Sequence, residues 1–116
     1  MTKVLLVEDD ATMRNLLKTL LEIEKFEVVI ADMGQPALDE IRKANPDAIL
    51  MDVHLQRENG MDVVKALRKF PAGKRIKVLM ASGMDLKHEC IDAGADGFLM
   101  KPYMPDELIN WLKQSV

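Results

Sequence analysis

The chain reads as a doubly wound α/β protein, a (βα)5 three-layer sandwich built on a five-stranded parallel sheet in the order 2-1-3-4-5. Three observations predict it. Short apolar runs alternate with longer stretches of helical period, the pattern of βα units around a parallel sheet. Those runs are rich in Val, Ile and Leu, as in Val4 to Val7 and Ile49 to Met51, which suits strands buried on both faces. The 116 residues, 48% of them hydrophobic, are enough for one compact core and too few for two ordinary domains, so a single domain over 1–116 is expected. Crossovers between parallel strands are right-handed, and for five units the 2-1-3-4-5 order is the common solution.

The first strand is placed at Lys3 to Val7 and runs into Glu8-Asp9-Asp10, of which Asp10 is read as the cap of the following helix. That helix presents Met13, Leu16, Leu17, Leu20 and Leu21 on one face. Glu27 to Ala31 gives the second strand, and Ala37, Leu38 and Ile41 mark the second helix. Asn45-Pro46 precedes the third strand, Ala48 to Asp52, and Val63, Val64 and Leu67 mark the third helix. Pro71-Ala72-Gly73 leads into the fourth strand, Lys77 to Ala81. A shorter helix around Leu86 to Ala93 is closed by Gly94, the fifth strand is Gly97 to Met100, and Pro105 opens a last helix around Asp106 to Gln114. On that last helix Leu108 and Leu112 already fill the core stripe, which leaves Trp111 partly exposed, with packing the favoured role and a partner contact the other.

The charge balance excludes several classes of function. A net charge of −3 gives no basic face for nucleic-acid phosphates, and the runs Lys65 to Lys69 and Lys74-Arg75 read as solvated charges. A lone cysteine, Cys90, allows neither a disulfide framework nor a thiolate metal site, and it is read as an inert, partly buried hydrophobe. Neither His54 nor His88 has the neighbours of a zinc site. No segment reaches membrane-spanning length, and the acidic triplet after Val7 is foreign to a secretory signal, so a soluble, cytoplasmic protein is expected.

Chemistry gathers at the strand ends. Parallel strands share one C-terminal rim, where ligands of open α/β sheets bind. Here the rim collects Glu8, Asp9 and Asp10 after the first strand, Asp52 at the end of the third, Ser82 after the fourth and Lys101-Pro102 after the fifth. Singly, each is an ordinary turn or cap residue; their coincidence at four strand ends favours a functional cleft. Two carboxylates about 5 Å apart repel by on the order of 3 kcal/mol at an effective dielectric of about 20. A hard divalent ion relieves that repulsion, and the small number of carboxylates suits Mg²⁺, which keeps several waters, better than Ca²⁺. With Lys101 supplying a second positive charge, an Asp carboxylate in this cleft becomes a nucleophile toward phosphorus.

These residues resemble the response-regulator receiver domains over essentially the whole chain. Val-Leu-Leu-Val-Glu8-Asp9-Asp10 is similar to that family's acidic motif, Ile49 to Asp52 to its phospho-acceptor strand, and Gly60 to the glycine that the family places at that spacing after it. Val78 to Gly83 is similar to the strand ending in a Ser/Thr and a small residue, and Gly94 to Pro102 to the last strand with its Lys-Pro. The resemblance implies that Asp52 is phosphorylated and that Mg²⁺, with Mn²⁺ a substitute, is bound by Asp9, Asp52, the backbone carbonyl of His54 and, through water, Glu8. It implies that Lys101 contacts the phosphoryl group, that Ser82 moves inward to it while Phe98 changes rotamer, and that the Lys101-Pro102 peptide is cis. The implied donor is a sensor histidine kinase or a phosphotransfer protein. The implied receiver of the signal is an output domain or target protein reading the face of the fourth helix, fifth strand and fifth helix. Such a protein is a switch that catalyses only its own phosphorylation and dephosphorylation.

Three features depart from the family pattern. Gln56 stands where a proline is usual, which predicts a more mobile loop after the third strand. His54 and Met84 take the two positions that tune hydrolysis, and bulky Met84 is expected to obstruct the attacking water. The segment Ser82 to Gly94 is short, so the fourth helix is expected to be truncated or shifted. Rival readings fare worse. An Asp-nucleophile phosphatase of the haloacid-dehalogenase type carries its nucleophile on the first strand with an Asp two positions on, where this chain has His54. A non-phosphorylated receiver-like interaction module, the main alternative, would normally have lost one of the key residues, yet Asp9, Asp52, Ser82 and Lys101 are all present. A flavin-binding protein of flavodoxin type needs hydroxyls and free amides where this chain is acidic.

Overall fold

The computed structural model describes residues 1–116 as five strands alternating with five helices. In order these are β1 (Lys3–Val7), α1 (Ala11–Ile23), β2 (Glu27–Ile30), α2 (Ala37–Ala44), β3 (Ala48–Asp52), α3 (Gly60–Leu67), β4 (Lys77–Ser82), α4 (Lys87–Ala93), β5 (Gly97–Met100) and α5 (Pro105–Ser115). A 3-10 turn over Pro71–Arg75 precedes β4. All strand pairs are parallel and the sheet order is β2-β1-β3-β4-β5, the predicted topology.

Alternation along the strands assigns side chains to two cores. Leu5, Val7, Ile49, Met51, Val78 and Met80 pack against Ile41 of α2, Val63, Val64 and Leu67 of α3, and Cys90 of α4. Their neighbours Val4, Leu6, Ala48, Leu50, Leu79 and Ala81 face Leu17 and Leu21 of α1 and Leu108 and Leu112 of α5. Each such leucine contributes about 1.5–3 kcal/mol by leaving water. The edge strands β2 and β5 are only four residues each and are partly exposed, which limits the unpaired backbone they offer.

Helix ends follow local chemistry. Asp10 Oδ1 accepts from the amides of Thr12 and Met13 and so starts α1, and Asn59 Oδ1 accepts from Met61 N to start α3. Gly94, at φ +117°, closes α4, a helix of seven residues without a side-chain cap at its start. Trp111 is half-buried, its indole lying on Gly97, where a Cβ would come within 2.5 Å of Nε1.

Two sequence expectations are corrected. Leu16 is 48% exposed, although it was placed on the buried face of α1. At about 100° per residue, Leu17 and Leu21 set the centre of the stripe and Leu16 points about 120° away from it. Arg68, read as part of a solvated run, is instead held in the structure. Its guanidinium donates to the carbonyls of Gly94 (2.9 Å), Gly73 (2.7 Å) and Ile76 (2.7 Å) and pairs with Asp96 (2.9 Å). Lys65 and Lys69, its neighbours in that run, are exposed.

Candidate functional site: an acidic cleft at the strand ends

The sheet brings the predicted residues to one rim because β1, β3, β4 and β5 are parallel and adjacent. Asp52 is the last residue of β3 and pairs with Ala81, one residue short of Ser82, which itself pairs with Met100. Lys101 follows directly, its amide donating to the Ser82 carbonyl (2.8 Å), so the end of β5 is zipped to β4. The Lys101-Pro102 peptide is cis. Gly60 lets α3 start close beneath the acid: a Cβ there would collide with the Asp52 backbone oxygen and lie 2.8 Å from Met80 Cε.

Charges in the cleft are partly matched. Lys101 Nζ lies 2.7 Å from Asp52 Oδ1 and 3.8 Å from Glu8 Oε1, bridging the two acids. Glu8 is buried, and its Oε2 has no hydrogen-bond partner, an arrangement that calls for a further donor or cation. Burial pushes the Asp52 carboxyl above its ordinary value, against the hydrogen bond and charge of Lys101 and the charge of His54, which pull it down. Asp9 is half-exposed, and its Oδ2 accepts from the backbone amide of Gln56 at 3.1 Å.

Other predicted residues stand at the margins. Ser82 is buried, with Oγ accepting from the Met84 amide (3.0 Å), so its hydroxyl is engaged by its own loop. Met84 is 60% exposed and the His54 side chain is also exposed. Phe98 is half-buried against the core that lies under α2, α3 and α4.

Three participants were not found from sequence. Tyr103, half-buried beyond the cis peptide, has its phenol pushed up to about 12, first by burial and then by the Asp52 charge. Its one sequence signal is its place two residues after Lys101. Arg14 donates to the Glu8 carbonyl at 3.1 Å. The Gln56 amide is a backbone group and leaves no sequence signal at all.

These donors fit a particular kind of ion. No three His, Cys, Asp or Glu side chains converge closely enough to enclose a metal by themselves. The Asp52 and Glu8 carboxylates that Lys101 links leave one buried Glu8 oxygen unpartnered, and this suits a hard cation that completes its shell with backbone oxygen and water, as Mg²⁺ does. A surface cavity of about 510 Å³ lies elsewhere, among Met1, Thr2, Asp47, Arg75 and Lys77 near the opposite rim.

Fold and cleft together define an open α/β protein whose acids, hydroxyl and ammonium collect at the carboxyl rim of a parallel sheet. The family model described as the response regulator receiver domain matches residues 4–113, and the chain belongs to that family. It is 41% identical over 110 residues to the transcriptional regulatory protein CpxR of Escherichia coli strain K12, a match covering 94% of this chain and 47% of CpxR. The chain therefore spans about half the length of that relative. The structure of the chemotaxis response regulator CheY4 of Vibrio cholerae superposes with a TM-score of 0.90 at 33% identity, covering 100% of this chain and 99% of that one. The receiver domain of the sensor histidine kinase PA1611 of Pseudomonas aeruginosa superposes with a TM-score of 0.84 at 27% identity, over 98% of this chain and 96% of that one. That domain holds a magnesium ion in its active-site cleft. The chain is thus a receiver domain of two-component signalling, a family of signalling switches. None of its helices is long and apolar enough to cross a membrane.

Proposed function

We propose that Asp52 accepts a phosphoryl group in a Mg²⁺-dependent reaction and that residues 1–116 form one receiver unit switched by it. The observation that carries this reading is the Lys101 ammonium bridging Asp52 and Glu8 beside the unpartnered Glu8 oxygen. Asp9, Asp52 and the His54 carbonyl are the residues assigned to hold Mg²⁺, with Glu8 reaching it through water. When bound, the ion supplies charge neutralisation for the phosphoryl oxygens. The donor is a phosphohistidine of a sensor kinase or phosphotransfer protein. Its P–N bond breaks as an Asp52 oxygen bonds to phosphorus, and the leaving imidazole keeps its electron pair and takes up a proton.

The chain's own residues prepare that step. Lys101 already sits on an Asp52 oxygen and offsets the added negative charge. Ser82 exchanges its Met84 amide contact for the phosphoryl group, which draws the loop after β4 inward and gives Phe98 room to turn. The face of α4, β5 and α5 then differs between the two states and is read by an output domain or a target protein. His54 and Met84, exposed near the cleft, regulate the approach of water to the acyl phosphate; Met84→Ala is expected to hydrolyse faster, timed by loss of the phosphorylated mass.

The test is intact mass and Trp111 fluorescence after treatment with acetyl phosphate or phosphoramidate, with and without Mg²⁺, beside Asp52→Asn. One phosphoryl group that requires both Mg²⁺ and Asp52 is the expected result. No addition under any condition would overturn it in favour of a non-phosphorylated interaction module.

A further inference from the structure

The segment between β3 and α3 is a small fastened hairpin. Its base is closed by Gly60 N donating to Val53 O (2.7 Å), by the bridge between His54 and Asn59, and by Leu55 N donating to Glu58 O (3.2 Å). One flank is tied to α2, whose first amide, Ala37 N, donates to Glu58 Oε2 at 2.8 Å. The other flank reaches the acidic cleft, where Gln56 N donates to Asp9 Oδ2 at 3.1 Å. The Gln56 side chain is exposed, so its link to the cleft is made by the main chain. The replacement of proline by glutamine predicts a slacker loop, yet the structure shows an added tether that proline, having no N–H, is unable to make.

We infer that the Gln56 backbone amide is a positioning donor for the cation site: it fixes the Asp9 carboxylate through Oδ2 and leaves the other oxygen for the ion. This rests on the Mg²⁺ reading given above. Three features support it. The bond is made to a residue in the acidic cluster, the donor is braced from both the α2 and α3 sides, and a carboxylate so held loses less freedom when it coordinates. Donors that orient metal-binding side chains commonly change affinity about 10- to 100-fold when removed. The side chain at position 56 is immaterial to this role, while the N–H is essential.

The decisive comparison is Mg²⁺ affinity by titration calorimetry for the unaltered chain, Gln56→Ala and Gln56→Pro. Gln56→Ala keeps the amide and is expected to bind as the unaltered chain does, while Gln56→Pro is expected to bind at least about tenfold more weakly. Equal affinity in all three, or a loss in Gln56→Ala as large as in Gln56→Pro, would overturn the inference while leaving the cation reading intact. No Mg²⁺ binding by the unaltered chain would overturn both. Amide hydrogen exchange of Gln56 in the unaltered chain needs no variant. Slow exchange that slows further with Mg²⁺ is expected, and acceleration on binding would show instead that the ion breaks the tether and would overturn the inference.

Discussion

At the scale of the residue, Asp52 is held at a cost that Lys101 only partly offsets. Burial raises its carboxyl above the ordinary value of 3.8 despite the ammonium 2.7 Å away. A carboxyl with a raised folded pKa binds protons more tightly in the folded state than in the unfolded one. Its contribution therefore opposes folding above the folded pKa, fades as pH falls between the two values, and vanishes below the unfolded one. Metal-free Asp52→Asn is expected to be more stable than the unaltered chain at neutral pH, with the difference closing below about pH 4. Urea unfolding at several pH values reads this directly, and a gap that persists at low pH would assign the effect to packing. Tyr103 reports on the same charge. It is the chain's one tyrosine, so its ultraviolet titration needs no assignment, and a midpoint of about 12 is expected, falling in Asp52→Asn as the carboxylate charge is removed.

Among the elements, Arg68 shows what sequence patterning carries and what it loses. Strand identities were legible because each βα unit has its own apolar run and punctuation, and α1 to α5 appear where those periods place them. The meeting of Glu8, Asp52 and Lys101 was equally legible, because strand-end residues of a parallel sheet meet whatever their spacing in the chain. Contacts made by main-chain atoms across loops were not: Pro36 precedes α2 and gives it no side-chain cap, and the helix's first amide, that of Ala37, is taken by Glu58 from another loop. Arg68 belongs to the same class, since three of its acceptors are carbonyls that no residue type announces. They lie on the 3-10 turn, the entry to β4 and the end of α4, and Asp96 adds a carboxylate whose Oδ2 also accepts from Val78 N. Arg68→Ala strands these acceptors and is expected to cost about 2–3 kcal/mol, read as a lower urea midpoint at unchanged slope. Lys65→Ala, on the exposed side of α3, is expected to change stability by less than about 0.5 kcal/mol.

For the whole molecule, the proposed Mg²⁺ site would make stability and cation binding one property. The fold supplies two well-filled cores, while the cleft keeps Glu8 buried with an unpartnered oxygen and Asp52 in a low-dielectric setting. A ligand bound only by the folded state stabilises it by RT ln(1 + [L]/Kd), about 2.7 kcal/mol at about 100 times Kd. Mg²⁺ is therefore expected to raise the unfolding free energy of the unaltered chain steadily with concentration, followed through Trp111, the one tryptophan. Asp52→Asn is expected to start higher without the ion, because the buried charge is gone, but to gain less from Mg²⁺, because the proposed carboxylate ligand is gone with it. The two curves are expected to converge and then cross as Mg²⁺ rises. Parallel curves would place the ion away from Asp52. A crossing would show that the charge which weakens the free fold is the same charge that holds the ion, and that the cleft is stable in the state in which it is chemically competent.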